Sequence, residues 1–207
     1  MATTSKSVIS GRSEFLADLD KQLHHGNAPL ALALTDLDGF AEINERYGRD
    51  AGDAVLVAWE RVLTANTPEG GSVVRLGGDE YVVVLPGMSA ENALVLLSEV
   101  RGHFAARSVE GVPGAVSASI GIAANPPHGS AAEDLWRAAG EALMRAKRDG
   151  RDRVALYVEQ KMILKSNYYS KANLERLAKL SAATDRTEAS LLREALDDLL
   201  YKHRDAL

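Results

Sequence analysis

Four carboxylates in two short stretches have chemistry to offer. Asp36 and Asp38 end the apolar run LALALTDLD, and Asp79 and Glu80 follow two glycines in VVRLGGDEYVVVLPG, residues 73–87. Acids brought together repel unless a cation joins them, and hard oxygens of this kind suit Mg²⁺ shared with phosphates. Gly77 and Gly78 lack a Cβ, so the backbone there can turn tightly and come close to a ligand. The same residues also read as an ordinary solvated hairpin turn, because glycines and acids are what turns use. Spacing alone leaves both readings open.

Opposite charge gathers at 145–153, RAKRDGRDR. By itself this run reads as a solvated helix face, a nucleic-acid patch or a grip for phosphates. The five histidines have no metal-ligand spacing, and the absence of cysteine excludes disulfides and thiolate metal sites. A hydrophobic fraction of 46% and a charged fraction of 26% place the 207 residues among ordinary soluble globular proteins. No apolar run approaches the roughly 18 residues of a membrane span, and the start lacks a secretory apolar core. A cytoplasmic protein that does not engage membrane is the expectation. The net charge of −5 is uneven: residues 1–159 carry 15 basic against 22 acidic residues, and residues 160–207 carry 9 against 7. That change of sign hints at a second module.

The elements that must position these residues follow from periodicity. SEFLADLDKQL (13–23) has helical spacing, and 30–37 reads as a buried strand ending in acids. Phe40, Ile43 and Tyr47 open a helix that Gly48 stops, and the next begins at Asp50-Ala51-Gly52-Asp53 and runs through Leu56, Trp59 and Leu63. A hairpin at 72–85, a helix at 89–107, a strand at 115–123, a helix at 131–148 and a strand at 153–158 complete the first 159 residues. The order β-α-β-β-α-β with extra helices matches the split βαβ, ferredoxin-like arrangement. It predicts an antiparallel or mixed sheet with helices on one face, the acids of the first strand lying beside those of the hairpin tip. After residue 160 come an extended piece (MILKSNYY), a helix from Ser170 striped by Leu174, Leu177 and Leu180, and a helix from Thr187 striped by Leu192, Ala195, Leu196 and Leu199. A unit this small buries its own faces poorly and is expected to dimerise.

Four ordered stretches resemble the GGDEF family of diguanylate cyclases. GGDE at 77–80, followed by Tyr81 where Phe is usual, resembles its signature. Asp36-Leu37-Asp38-Gly39-Phe40 with Asn44, Gly48, Gly52 and Asp53 resembles its D-x-D-x-F…N…G…GD segment. Ser119-Ile120-Gly121-Ile122-Ala123 resembles its SIGIA strand, and 142–151 its AL-Y-x-AK-x-x-GR helix end. The resemblance covers about residues 10–158 and implies a mixed α/β (α+β) domain of ferredoxin-like, palm type. It implies that two GTP are condensed into cyclic di-GMP and pyrophosphate with Mg²⁺ or Mn²⁺, each GTP on its own subunit.

Carried over by position, Asp36, the carbonyl of Leu37 and Asp79 would ligate the metal. Glu80 would be a further ligand or the base for the attacking 3′-hydroxyl; Asp38, taken as a residue, reads as an acid beside the ligands or on the surface rather than as a ligand. Phe40, Gly77 and Gly78 would border the GTP, Asn44 and Asp53 would read the guanine edge, and Lys147 and Arg151 would grip the terminal phosphates. Taken as residues alone, Asn44 also reads as a solvated helix residue and Asp53 as a helix-start carboxylate. The chain departs from the family pattern at several points. The N-terminal D-x-L-T-G-L-x-N wedge is not recognisable at 5–11, the Lys expected after Phe40 is Ala41, and Gly140 stands where Asp is usual. The R-x-x-D product-inhibition motif is replaced by Pro68-Glu69-Gly70-Gly71.

Residues 165–200 resemble a ribbon-helix-helix module of small dimeric repressors. Alignment to that family favours DNA contact through Leu164, Ser166, Tyr168 and Thr187, while hydrophobicity leaves the other strand face, Lys165, Asn167 and Tyr169, open as well; a homodimer or tetramer is expected. The domain expectation is thus 1–159 for the nucleotide cyclase and 160–207 for dimerisation and DNA binding. Two alternatives stay open: a tail that only dimerises, and a regulator that senses GTP or cyclic di-GMP without turnover.

Overall fold

The residues Leu30–Leu37 alternate Leu and Ala, so as a strand they offer large side chains to one face and small ones to the other. All eight are buried, which requires cover on both sides. In the computed structural model, which describes residues 11–25, 28–159, 168–184 and 186–203, that cover is present. The chain divides into two compact units, Met1–Gln160 and Lys161–Leu207.

The first unit runs α1 (Arg12–His25), β1 (Leu30–Leu37), α2 (Phe40–Tyr47), α3 (Arg49–Asn66), β2 (Ser72–Gly77), β3 (Glu80–Pro86), α4 (Ala90–Ala105), β4 (Ala118–Asn125), α5 (Ala132–Arg148) and β5 (Val154–Leu156). The sheet order is β2-β3-β1-β4-β5, antiparallel except for the β4–β5 pair. Helices lie on both faces, not on one as the ferredoxin-like expectation had it. Leu30, Leu32, Leu34, Val82 and Val84 pack with Phe15, Leu19, Leu135 and Leu143 from α1 and α5. Ala31, Ala33, Val83, Ile120 and Ile122 pack with Val55, Trp59, Leu97 and Phe104 from α3 and α4. The extra helices decide the matter, since α1 joins α5 on the leucine face and leaves the alanine face to α3 and α4. The hairpin begins where expected, whereas β4 lies two to three residues later than the strand expected at 115–123 and β5 is only three residues long.

Local chemistry fixes the element ends. Ser89 caps α4 by accepting from Asn92 N. Gly48, at φ 87°, separates α2 from α3 in a conformation side chains resist. On the alanine face Trp59 Nε1 donates to Thr35 Oγ1 at 3.1 Å, which satisfies both polar groups inside the core.

The second unit contains α6 (Lys171–Thr184) and α7 (Glu188–Lys202). Ser170 Oγ accepts from Asn173 N ahead of α6, and Arg186 pairs with Glu194 at 2.6 Å. None of its described residues is buried, and Leu174, Leu180, Leu192, Leu196 and Leu199 stand exposed.

At Gly121 in β4 the backbone of α5 comes so close that an added Cβ would lie 2.1 Å from Leu143 N and 2.2 Å from Ala139 O. Neither atom can yield without moving the helix. Gly121→Ala is therefore expected to destabilise the first unit by about 2–3 kcal/mol, read as a lower denaturation midpoint in urea. An unchanged midpoint would show that α5 packs less tightly on β4.

Candidate active site

Antiparallel pairing brings the acids together. Asp36 in β1 lies opposite Glu80 in β3 and opposite Ser119 in β4. Asp79 and Glu80 follow Gly77 and Gly78 in the tight β2–β3 connection, where Gly78 takes φ 54°. A bulge between Arg75 and Gly77 lets that connection form. Arg75 reinforces it, its guanidinium donating to Gly78 O at 2.9 and 2.6 Å.

Tyr81, next to the acids, is buried at 1% exposure. Its hydroxyl donates to Leu56 O of α3 at 3.3 Å, and the Arg75 guanidinium stands over its ring. The hydroxyl that distinguishes Tyr81 from Phe thus ties the base of the turn to α3. Burial pushes the phenol up to about 12, with Arg75 opposing the shift.

Asp36 is nearly buried, and Lys147 Nζ from the last turn of α5 pairs with its Oδ2 at 2.7 Å. Burial raises the Asp36 carboxyl above the usual range. Lys147 pulls it back, and the charges of Asp79 and Glu80 push it up further. The Asp79 and Glu80 side chains have no hydrogen-bond or ion-pair partner among the described residues. Among the described residues no three acids are assembled into a ready cage for a metal. Hard carboxylate oxygens of like charge, one of them already holding a cation, nevertheless fit Mg²⁺, which takes one or two carboxylates and completes its shell with waters and phosphates.

Of the other expected residues, Asn44 lies on α2, with Nδ2 donating to Phe40 O at 3.2 Å and its amide against Gly52. A Cβ on Gly52 would fall 2.0 Å from Asn44 Oδ1, so the glycine holds that side chain's place. Asp53 is exposed on α3 one residue beyond Gly52, and Phe40 is half-buried at the start of α2. Lys147 belongs to the acid group. Arg151 stands exposed beyond α5 in a left-handed conformation (φ 61°), its guanidinium without a partner among the described residues. In the second unit Leu164 and Ser166 lie outside the described residues, while Tyr168 and Thr187 are exposed. Clefts of about 510 and 280 Å³ lie around His128 and Pro29, both at the Leu30 end of the sheet, away from the acids.

Sequence reasoning missed the groups that hold the site rather than form it. Arg75 is one. The partners of Asp38 are others: it accepts hydrogen bonds from Ser117 Oγ at 2.8 Å, Ser119 Oγ at 2.7 Å and Asp152 N at 3.0 Å. Ser119 carried a signal through its motif; Ser117 and Asp152 carried none.

Comparison with known proteins points to one family. Residues 6–153 match the family described as diguanylate cyclase, GGDEF domain. The chain is 40% identical over 124 residues to diguanylate cyclase DgcM of Escherichia coli, covering 60% of this chain and 30% of that protein. It is 37% identical over 144 residues to diguanylate cyclase DgcP of Pseudomonas aeruginosa, covering 69% and 21% respectively. The chain thus spans less than a third of the length of these curated relatives. Among solved structures, the active GGEEF domain of a diguanylate cyclase from Vibrio cholerae superposes with a TM-score of 0.68 at 26% identity, covering 73% of this chain and 99% of that one. The GGDEF domain of DgcB from Caulobacter crescentus, solved in complex with c-di-GMP, gives 0.66 at 25%, covering 76% and 97%.

The Tyr81 anchor makes a pH-dependent prediction. An unfolded chain releases the phenolic proton near its ordinary value of 10, whereas the folded protein holds it to about 12. The unfolded state therefore binds fewer protons in that window, and this contribution to stability falls as pH rises from 10 to 12. Tyr81→Phe should cost about 1 kcal/mol at neutral pH through the lost hydrogen bond, and this alkaline loss should vanish from it. Urea midpoints across the alkaline range, with tyrosinate absorbance, measure both; parallel profiles for the two proteins would overturn the assignment.

Proposed function

This chain belongs to the GGDEF domain family of diguanylate cyclases, and we propose that it joins two GTP into cyclic di-GMP, releasing two pyrophosphates. The observation that carries this reading is the convergence of Asp36, Asp79 and Glu80 at one sheet end, with Lys147 against Asp36. In each half-reaction the 3′-oxygen of one GTP attacks the α-phosphorus of the other. A new P–O bond forms as the bond to the pyrophosphate oxygen breaks, and the 3′-proton leaves to a base. Glu80, exposed beside the buried Asp36, is the proton acceptor or a further metal ligand. Asn44, held by Phe40 O and given room by Gly52, meets the guanine edge with Asp53. Phe40, Gly77 and Gly78 border the nucleotide, and Lys147 and Arg151 neutralise its terminal phosphates. Mg²⁺ or Mn²⁺ held by Asp36, Leu37 O, Asp79 and Glu80 would supply positive charge to the phosphoryl oxygens.

A single subunit carries one such set, so two must face each other. The acids stand away from both clefts, at the end of the central strands β1 and β3 opposite the Leu30 end. The second unit supplies the means. We read residues 160–207 as a ribbon-helix-helix module whose α6 and α7 cover their exposed leucines with a second copy of this chain. DNA contact through Leu164, Ser166, Tyr168 and Thr187, a homodimer or tetramer, and a cytoplasmic location belong to the same reading. No described helix is long and apolar enough to cross a membrane.

Two experiments test this. Asp79→Ala and Glu80→Ala should each lower cyclic di-GMP synthesis by about 100-fold or more while leaving the thermal midpoint near that of the parent, because neither side chain has a hydrogen-bond or ion-pair partner among the described residues. Near-normal turnover by Asp79→Ala would overturn the active-site assignment. Truncation after Val158 should yield a mostly monomeric protein whose rate per subunit at low micromolar concentration falls about ten-fold or more, as an effective-concentration effect predicts. Sedimentation and a rate-versus-concentration series read both quantities. A truncated protein as active per subunit as the full chain would leave the tail without a part in assembly of the active site.

A further inference from the structure

The turn that carries Arg151 is costly to form. Arg151 and Asp152 both take left-handed conformations, φ 61° and 47°, in succession after Gly150 at φ 115°. Such backbone costs roughly 1 kcal/mol or more per non-glycine residue and persists only where the surroundings over-determine it. Here Arg151 N donates back to Ala146 O at 3.0 Å, which closes the end of α5. On the other side, Ile120 N donates to Arg153 O at 2.9 Å and joins the turn's exit to β4. Two further ties come from side chains. Asp38 Oδ2 accepts from Asp152 N at 3.0 Å, and Arg101 of α4 pairs with the Asp152 carboxylate at 2.5 Å.

Asp38 is the junction of this arrangement. Its Oδ1 accepts from Ser119 Oγ and its Oδ2 from Ser117 Oγ as well as from Asp152 N, while its own N–H donates to Ser117 O at 2.9 Å. These bonds consume the carboxylate, which stands two residues beyond Asp36 at the end of β1. They join three pieces of chain: the end of β1, the entry to β4 and the Arg151 turn. Hydrogen bonds to an ionised carboxylate are the stronger kind. These bonds hold in place the residue whose guanidinium has no partner among the described residues.

We propose that Asp38 is a positioning residue for the nucleotide: it fixes the Arg151–Asp152 turn and thereby aims Arg151 at the terminal phosphates, with Arg101 bracing the same turn through Asp152. The inference rests on the diguanylate cyclase reading above, because that reading supplies the phosphates. It assigns Asp38 a part that needs acceptor oxygens but no negative charge toward a metal. An amide at this position can still turn its oxygen to Asp152 N and give its NH₂ to Ser119 Oγ.

The test is equilibrium binding by the full chain, in Mg²⁺, of α,β-methylene-GTP, which cannot release pyrophosphate, with GMP as the ligand lacking terminal phosphates. Asp38→Ala should weaken the triphosphate analogue about ten-fold and GMP by less than about two-fold. Asp38→Asn should recover most of the loss. In the Arg151→Ala background Asp38→Ala should add less than about two-fold, since both act through one contact. Arg101→Met, which leaves the site's own residues in place, should weaken the triphosphate alone by about three-fold, and it keeps the test alive if Asp38→Ala does not fold. Equal losses for GMP and the triphosphate, additivity with Arg151→Ala, no rescue by Asp38→Asn, or no effect of Arg101→Met would each overturn the proposal. A parent protein that binds neither ligand would instead sink the functional reading itself, and the two failures are therefore told apart.

Discussion

The unfavourable gathering of negative charge at Asp36 is the constraint to which much of the first unit answers. A carboxylate at the end of a strand buried along its whole length resists ionisation, and Asp79 and Glu80 make that resistance greater. Left alone, such a carboxylate would protonate or the hairpin tip would splay. The fold opposes both outcomes. Lys147 arrives from the last turn of α5 to pair with Asp36, while Arg75 binds the turn carbonyl of Gly78 and Tyr81 pins the strand behind it to α3. Contacts from three separate elements thus oppose the cost of the acids, although the Asp36 carboxyl stays raised.

The same logic explains why the sheet needs helices on both faces. Asp36 is poorly solvated because the strand that carries it has no exposed side. The Leu face of β1 lies under α1 and α5 and its Ala face under α3 and α4. Small residues on the second face leave room for Trp59, which is fully buried and bonded to Thr35, one residue before Asp36. Close packing at that point leaves the strand end little freedom to relax away from its neighbours.

How far the sequence disclosed this can be judged from particular residues. The elements were legible because their periodicity is clean: LALALTDL could only be a buried strand, and Gly48 marked the break between two helices. Its double-sided burial was also written there, in Leu on even and Ala on odd positions, yet the ferredoxin-like template drew attention to one face. The acids were legible as a set because their types and order match a family. Their supports were not, since Arg75, Ser117 and Asp152 act through backbone groups and turns whose geometry exists only after folding. Gly52 and Gly121 illustrate the difference: both belonged to recognised motifs, but their reasons, the Asn44 amide and the backbone of α5, are spatial.

The two units are incomplete alone in complementary ways. On the function proposed above, the first presents one set of acids and cations for a reaction that joins two nucleotides, so its chemistry needs a partner. The second has helices of 14 and 15 residues, lengths that are marginal in isolation, and no described residue of it is buried. On the same proposed reading its stability draws on a partner as well. If α6 and α7 are satisfied only by a second copy, folding of the tail and encounter of two nucleotide-loaded domains become one event. The free energy that covers the leucines then also sets how often two acid edges meet, and catalytic rate follows dimer population rather than total concentration. Such a device needs no contact at the active site and no conformational change within the first unit. It asks only that the leucine faces stay too apolar to remain uncovered, and Leu174, Leu180, Leu192, Leu196 and Leu199 meet that condition.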